Sequence, residues 1–334
     1  MEIAVDLGTA NILVAVRGKG IVLREPSVVA VERDTGRLVS IGEKARQMLG
    51  RTPGSIVASR PLRDGVIADY DITESILRYF IARVTPGRSM TRPRVMICIP
   101  TGATGAERRA VREAAASAGA GKVELIEEPL AAALGVGLDI TKPQGQMVVD
   151  VGGGTTDVAV LSLGGMAASD SVRVAGDAMD SVIAHELKET YSLAIGERTA
   201  EEVKIEVGSV HPDGRDAEVD IRGRDMLTGM PRTLTISSAD IRPALKEPAQ
   251  QIIASVRRVL EEPPPELLSD IIDRGVWLTG GGALLHGLPE LISRQTGLPT
   301  QRPDDPMSSV ALGTARALDM QLVGRHVVVF KRVI

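Results

Sequence analysis

Two aspartates, each carried by a short apolar run into a glycine-bearing turn, are the residues of this chain best suited to chemistry. Asp6-Leu7-Gly8-Thr9-Ala10-Asn11 follows the run Ile3 to Val5, and Asp150-Val151-Gly152-Gly153-Gly154-Thr155-Thr156-Asp157 grows out of Met147 to Val151. A third apolar run, Gly275 to Thr279, ends in Gly280-Gly281-Gly282. Glycines let backbone N–H groups approach phosphate oxygens, Thr and Asn add donors, and a carboxylate at a strand end holds Mg2+ through water. Asp6-Leu7-Gly8 by itself reads more readily as a tight hairpin with no ligand. Three consecutive glycines need another reason, because glycine weakens a strand. Taken together, the three turns describe a phosphate–metal site.

Other phosphate and metal motifs are missing. Gly119-Ala120-Gly121-Lys122 has Val123 where a P-loop needs Ser or Thr, and no G-x-G-x-x-G follows a strand. His185-Glu186 runs into Leu187-Lys188-Glu189, which is not the zincin spacing. The four histidines, His185, His211, His286 and His326, are scattered without metal-like spacing.

Composition narrows the class further. Of 334 residues 43% are apolar and 25% charged, enough for a sizeable core of about two domains. The net charge of −4 comes without any basic block, so nucleic acid is not an expected partner. Cys98 is the only cysteine, which excludes an internal disulfide and a multi-cysteine metal site. It follows Val95-Met96-Ile97 and reads as a small buried hydrophobe. Met1-Glu2-Ile3-Ala4-Val5-Asp6 lacks a leader pattern, and no stretch approaches the ~20 apolar residues of a membrane span, so a cytosolic chain is expected. With two Phe, three Tyr and one Trp, the core must be aliphatic and alanine-rich.

The elements that must position these turns alternate strand and helix. Ile12 to Val16 and Val28 to Val31 follow the first turn; Val158 to Leu161 and Val172 to Val174 follow the second, separated by Gly164-Gly165. This order repeats, as an internal duplication would. Helical spacing marks Ile72 to Val84, Glu107 to Ala118, Asp177 to Tyr191, Thr199 to Val207 and Ala239 to Leu260. Pro129 opens a further helix through Leu130-Ala131-Ala132-Ala133, and Pro263-Pro264-Pro265 breaks the chain. His211 to Arg224 reads as a surface hairpin or loop. Two similar α/β halves around a cleft are expected.

The turns, with Glu127-Glu128-Pro129-Leu130-Ala131-Ala132-Ala133, resemble the actin/Hsp70/sugar-kinase ATPase superfamily. Within it the chain is similar to the bacterial actin family MreB/Mbl over nearly its whole length. Gly18-Lys19-Gly20-Ile21-Val22, Glu25-Pro26-Ser27-Val28, the run from Arg60 to Asp69, Ile195-Gly196-Glu197-Arg198-Thr199 and Pro264-Pro265-Glu266-Leu267 carry that likeness. The resemblance implies an actin-like ATPase fold: two duplicated RNase H-like lobes around a nucleotide cleft. Residues 1–143 would form the first lobe, with a small subdomain near 32–75; residues 144–334 would form the second, with a small subdomain near 180–245.

It also implies roles. Thr9, Ala10 and Asn11 match the first phosphate loop, and Gly152, Gly153, Gly154, Thr155 and Thr156 the second. Asp6 and Asp150 would face each other beside Mg2+. Glu128 matches the glutamate that positions the attacking water, with Thr155 as a second water-orienting group. Glu201, Glu202 and Lys204 match the adenosine side, and Gly280, Gly281, Gly282 and Ala283 the turn beneath adenine. ATP and Mg2+ are the implied cofactors.

The implied partners are further copies of the chain in protofilaments, the anionic inner face of the cell membrane, and the machinery of lateral cell-wall synthesis. The expected location is cytoplasmic and peripheral on that inner face. Two membrane devices of the family differ here: no N-terminal amphipathic helix precedes Ile3, and in Gly87-Arg88-Ser89-Met90-Thr91-Arg92 only Met90 is apolar. Arg88 and Arg92, or the apolar and cationic tail Arg325 to Ile334, would supply the contact instead. The rival readings are a soluble small-molecule kinase, for which no segment nominates a substrate pocket, and a chaperone-type ATPase, for which the chain leaves no room after Ile334.

Overall fold

The computed structural model describes residues 1–63, 66–67, 69–85, 91–211 and 213–322. Met90, Arg88 and the tail Arg325 to Ile334 lie outside the described residues.

The first half opens with β1 (Glu2–Leu7), β2 (Asn11–Val16) and β3 (Gly20–Pro26). A small sheet follows, made of β4 (Val29–Glu32), β5 (Leu38–Ile41) and β6 (Ile56–Ser59), with the single-turn α1 (Glu43–Arg46) between the last two. After the short pair β7 (Leu62–Arg63) and β8 (Val66–Ile67) come α2 (Tyr70–Val84), β9 (Arg94–Ile99), α3 (Gly105–Ser117), β10 (Lys122–Glu127) and α4 (Glu128–Gly135). Thr104 and Glu107 form a capping box at the start of α3, each bonding the other's backbone N–H.

The second half repeats the plan: β11 (Gln146–Val151), β12 (Thr156–Ser162), β13 (Gly165–Val172) and α5 (Gly176–Tyr191). A small sheet of β14 (Leu193–Ala194), β15 (Glu218–Asp225) and β16 (Pro231–Ser237) encloses α6 (Glu197–Val207). The chain continues through α7 (Ser238–Glu261), α8 (Pro265–Arg274), β17 (Val276–Thr279), α9 (Leu288–Thr296), β18 (Thr300–Gln301) and α10 (Ser309–Leu322).

The duplication is visible in the strand orders. One sheet runs β3-β2-β1-β9-β10 and the other β13-β12-β11-β17-β18. In each, the aspartate strand pairs antiparallel with the next strand and parallel with a later one. The central strands are covered on both faces, which is why they read as unbroken apolar runs. Ile3 and Val5 face the core holding Ile76, Leu77 and Phe80 of α2. Met147, Val149 and Val151 face Met179 of α5 and Ile252 and Val256 of α7.

The opposite faces of the two sheets share one core. Ala4 and Met96 from the first sheet and Val148 and Ala159 from the second all pack around Leu130, Ala131, Ala132 and Ala133 of α4 and Val310 and Ala317 of α10. So α4 and α10 form the layer between the sheets. They pack backbone to backbone: a Cβ on Gly135 would overlap Ser309, and one on Gly313 would overlap Ala131. The alanine-rich, aromatic-poor composition is what this close approach requires.

Of two expected strands, one is found in a different sheet and the other is shifted. Val29–Glu32 belongs to the small sheet, and the third strand of the first main sheet is Gly20–Pro26, where exposed Val22 alternates with half-buried Ile21 and Leu23. In the second half the strand is Gly165–Val172, upstream of the expected Val172 to Val174. Both are edge strands with a wet face, so their residues lack a continuous apolar signature. Within the expected surface hairpin or loop His211 to Arg224, Glu218 onward is the first arm of a hairpin with β16.

Candidate functional site

The turn between β1 and β2 and the turn between β11 and β12 occupy equivalent places in the two sheets and meet across the cleft. A Cβ on Gly153 would stand 2.9 Å from Ala10 Cβ and 3.0 Å from Ala10 N, so a side chain there would push the turns apart. Gly280 has a φ of 79° and would set a Cβ against the Val151 backbone, which requires glycine on both counts. The second turn is fastened to α5 by Gly176 N–H donating to Gly152 O at 3.2 Å and Asp177 N–H to Gly153 O at 2.8 Å.

A cavity of about 280 Å³ opens between the turns. Asp6, Thr9, Ala10, Asn11, Glu128, Asp150, Gly152, Gly153, Gly154, Thr155, Glu201, Lys204, Gly280, Gly281 and Gly282 all line it. Three expected residues do not. Thr156 is fully buried, its hydroxyl donating to Val174 O at 2.7 Å. Glu202, one step round α6 from Glu201, turns outward to Arg198 at 2.9 Å. Ala283 belongs to the second-half core.

Carboxylates crowd the floor. Glu128 stands in the first turn of α4, beside Pro129, and is 9% exposed. Burial pushes its carboxyl well above the usual range, and the charges of Asp157, Asp150 and Asp6 add to this. Burial also lifts Asp150 to about 7, against a hydrogen bond from Thr279 Oγ1 at 2.6 Å. Asp6 rises to about 6 for the same reason, opposed by the Cys98 thiol, which donates to it at 3.2 Å. Among the described residues no set of three or more ligating side chains converges on one point. A divalent cation would therefore be shared between Asp6, Asp150, water and phosphate oxygens, a hard-oxygen set that suits Mg2+.

Part of the cavity's lining is apolar. Leu284 and Ile205 stand 49% and 61% exposed there, beside Met307 and His286. A flat ring lying on the glycine turn would cover both. Lys204 bridges Asp180 at 2.8 Å and Gly176 O at 3.0 Å, which ties α6 to α5 and leaves Glu201 facing the cavity.

Across the mouth, Arg60 of the first half reaches Asp177 at 2.6 Å and Glu201 at 3.7 Å, and Arg46 reaches Glu201 at 3.5 Å. Sequence reasoning missed Asp177, Asp180, Leu284, Met307 and this arginine pair. Gly176-Asp177, a glycine opening a helix, was the one readable signal. Nor does sequence spacing join His211 and His286, whose ring centroids lie 5.5 Å apart with the planes tilted by 45°, where Ser209 hydrogen-bonds His286 Nδ1 at 2.8 Å. Glu127 turns away to Arg108 at 2.8 Å.

Comparison with known proteins agrees with this geometry. A sequence model described as MreB/Mbl protein matches residues 1–323. The chain is 54% identical over 318 residues to cell shape-determining protein Mbl of Bacillus cereus, covering 95% of this chain and 96% of that one. It is 50% identical over 324 residues to cell shape-determining protein MreB of Escherichia coli K12, covering 96% and 93%. MreB5 of Spiroplasma citri, solved bound to ADP and to AMPPNP, superposes with a TM-score of 0.90 at 37% identity, over 96% of this chain and 98% of that one. The MamK double helical filament shares the fold, with a TM-score of 0.81 at 20% identity. The architecture is the actin-like fold, and the chain belongs to the MreB/Mbl family.

Proposed function

We propose that this chain is a filament-forming, actin-like ATPase that binds an adenine nucleotide with Mg2+ in the interlobe cleft and takes part in setting cell shape. One observation carries the reading: duplicated sheets bring two glycine turns face to face over a cavity that buried Glu128 lines together with Asp6 and Asp150. The names of the relatives, and the nucleotides in the MreB5 structures, point the same way.

Each residue has a task in this reading. The backbone N–H groups of Thr9, Ala10, Asn11 and Gly152 to Thr156 hold phosphate oxygens from both sides. Asp6 and Asp150 would hold the cation, which would neutralise charge on the phosphates. Glu128 orients a water for in-line attack on the terminal phosphate, and the Thr155 hydroxyl steadies it. Because burial and the neighbouring carboxylates raise Glu128, positive charge beside Asp6 and Asp150 would favour its ionised form. Leu284, Ile205 and the glycine turn at Gly280 receive the base, and Glu201 the ribose.

The finer reading places the filament on the anionic inner face of the cell membrane, in the cytoplasm, where it organises lateral wall synthesis. No helix among the described residues is long and apolar enough to cross a membrane, so the contact would be peripheral. Binding of a fluorescent adenine nucleotide, measured with and without Mg2+, tests the cleft. Phosphate release with sugars or with peptides then tests the rivals, since stimulation by either without assembly would replace this reading.

A further inference from the structure

The wall assigned to the base is joined to the end of α6 by a short backbone bridge. Val210 N–H donates to His286 O at 2.9 Å, and Ser209 pairs with His286 in parallel. The two segments approach so closely that a Cβ on Gly287, whose φ is 83°, would stand 2.3 Å from His211 N. Leu284, Leu285 and His286 all line the cavity and run into this joint from one side. From the other side comes α6, which carries Glu201 and Lys204.

Hydrogen bonds fix the charge state of the joint. Ser209 is fully buried, and its Oγ accepts the His211 N–H at 3.2 Å, so its one hydroxyl proton needs an acceptor. His286 Nδ1, at 2.8 Å, accepts it. The network therefore makes His286 neutral, with its own proton on Nε2. His211 Nδ1 in turn accepts the Asp213 N–H at 3.2 Å. A proton added to His286 Nδ1 would strand the Ser209 hydroxyl proton in the interior, which is unfavourable. Of the charges around the ring, Arg215 and His211 oppose a cation there, and Glu290 of α9 favours one. Asp213 is almost fully exposed, 3.9 Å from His211 Nδ1. On α6, Lys204 is held by Asp180, and Glu201 by Arg60 and Arg46. The His286 side is exposed, so a proton can reach the ring.

We propose that neutral His286 is a positioning residue for the nucleotide: bonded to Ser209, it pins the base wall to α6, and its protonation loosens that wall and speeds nucleotide release in acid. Burial and the neighbouring cations, which disfavour the charged ring, support the same assignment. This role rests on the adenine-nucleotide reading above and adds to it a residue that sets how long the nucleotide stays.

Stopped-flow release of a fluorescent adenine nucleotide, at about pH 7.5 and about pH 5.5, tests the role. Asp6 and Asp150 give every variant a shared acid dependence, so the readout is the difference between proteins. His286→Asn keeps an acceptor for Ser209 and takes no proton. The acid-to-neutral ratio of release rates is expected to be about threefold or more larger for wild type than for His286→Asn. His286→Ala strands the Ser209 hydroxyl at every pH and is expected to release quickly at both. Proton–nitrogen NMR of the nucleotide-free protein is expected to show His286 as the Nε2–H tautomer at neutral pH, titrating below the ordinary histidine value. Equal ratios in wild type and His286→Asn, or an Nδ1–H tautomer, would overturn the role and leave the nucleotide reading standing. Wild-type release that slows in acid relative to His286→Asn would also overturn it, since the added charge would then hold the nucleotide. Wild type that binds no adenine nucleotide at either pH would remove the nucleotide reading itself, and this role with it.

Discussion

The backbone N–H of Thr101, at the end of β9 in the first lobe, donates to Asp157 Oδ1 of β12 in the second at 2.8 Å. Asp157 is fully buried, and its carboxyl is raised by that burial against the pull of the Thr101 amide. One side chain thus straps the lobes at the cleft floor and adds negative charge beside Glu128. The two roles separate by mutation. Asp157→Ala leaves the buried amide without an acceptor and is expected to cost about 1–3 kcal/mol in urea unfolding. Asp157→Asn keeps an acceptor and removes the charge, so near pH 8 it is expected to be at least as stable as wild type. Equal losses in both variants would contradict this division.

Stability of the nucleotide-free protein is expected to fall as pH rises from about 5.5 to 8. Asp150 and Asp6, raised to about 7 and about 6 from an ordinary 3.8, keep protons in the folded state that the unfolded chain has already released. The folded state therefore binds more protons in this window, and stability declines with pH. Glu128, Asp157 and Asp180 act in the same direction. His286, lowered by burial from an ordinary 6.5, opposes them below that pH as a single group. Mg2+ with nucleotide is expected to flatten the decline, since a cation keeps the carboxylates ionised. Thermal melts across that pH range check both statements; a profile that rises with pH would contradict the first.

The Arg60–Asp177 and Arg46–Glu201 pairs join the two halves at residues of α5 and α6 that line the cavity. Arg60→Ala is expected to speed nucleotide release severalfold, because a partly buried ion pair contributes about 1 kcal/mol. Stopped-flow chase of a fluorescent nucleotide reads this directly. An unchanged release rate would mean that the pairs do not gate the site.

Close packing of α4 against α10 is expected to tolerate no side chain. Gly313→Ala places a Cβ into the Ala131 backbone and should cost about 2–3 kcal/mol, visible as a lower denaturation midpoint. A wild-type midpoint would show that the helices slide apart without penalty.

The sequence carried the site's polar chemistry better than its apolar walls. Asp6, Asp150 and the glycines stand out because a strand ending in an aspartate-glycine turn occurs twice and a third glycine run closes another strand. Leu284, Ile205 and Met307 do not, since an apolar residue reads the same whether it lines a pocket or fills a core. The central strands were legible from continuous apolar runs, whereas edge strands β3 and β13, wet on one side, were misplaced. Glu202 was placed beside Glu201, yet neighbours on a helix point about 100° apart. No local pattern announces that α10 returns from the second half to pack on α4, because that contact spans most of the chain. The Arg60 and Arg46 pairs are equally non-local.

The most direct test of the central claim is sedimentation with Mg2+ and ATP alongside phosphate release, for wild type and Glu128→Ala. The account predicts nucleotide-dependent pelleting of both proteins, with phosphate release by Glu128→Ala reduced about a hundredfold or more, the usual weight of a positioned base. Undiminished phosphate release from Glu128→Ala, or ATP hydrolysis by a wild-type protein that never pellets, would contradict it.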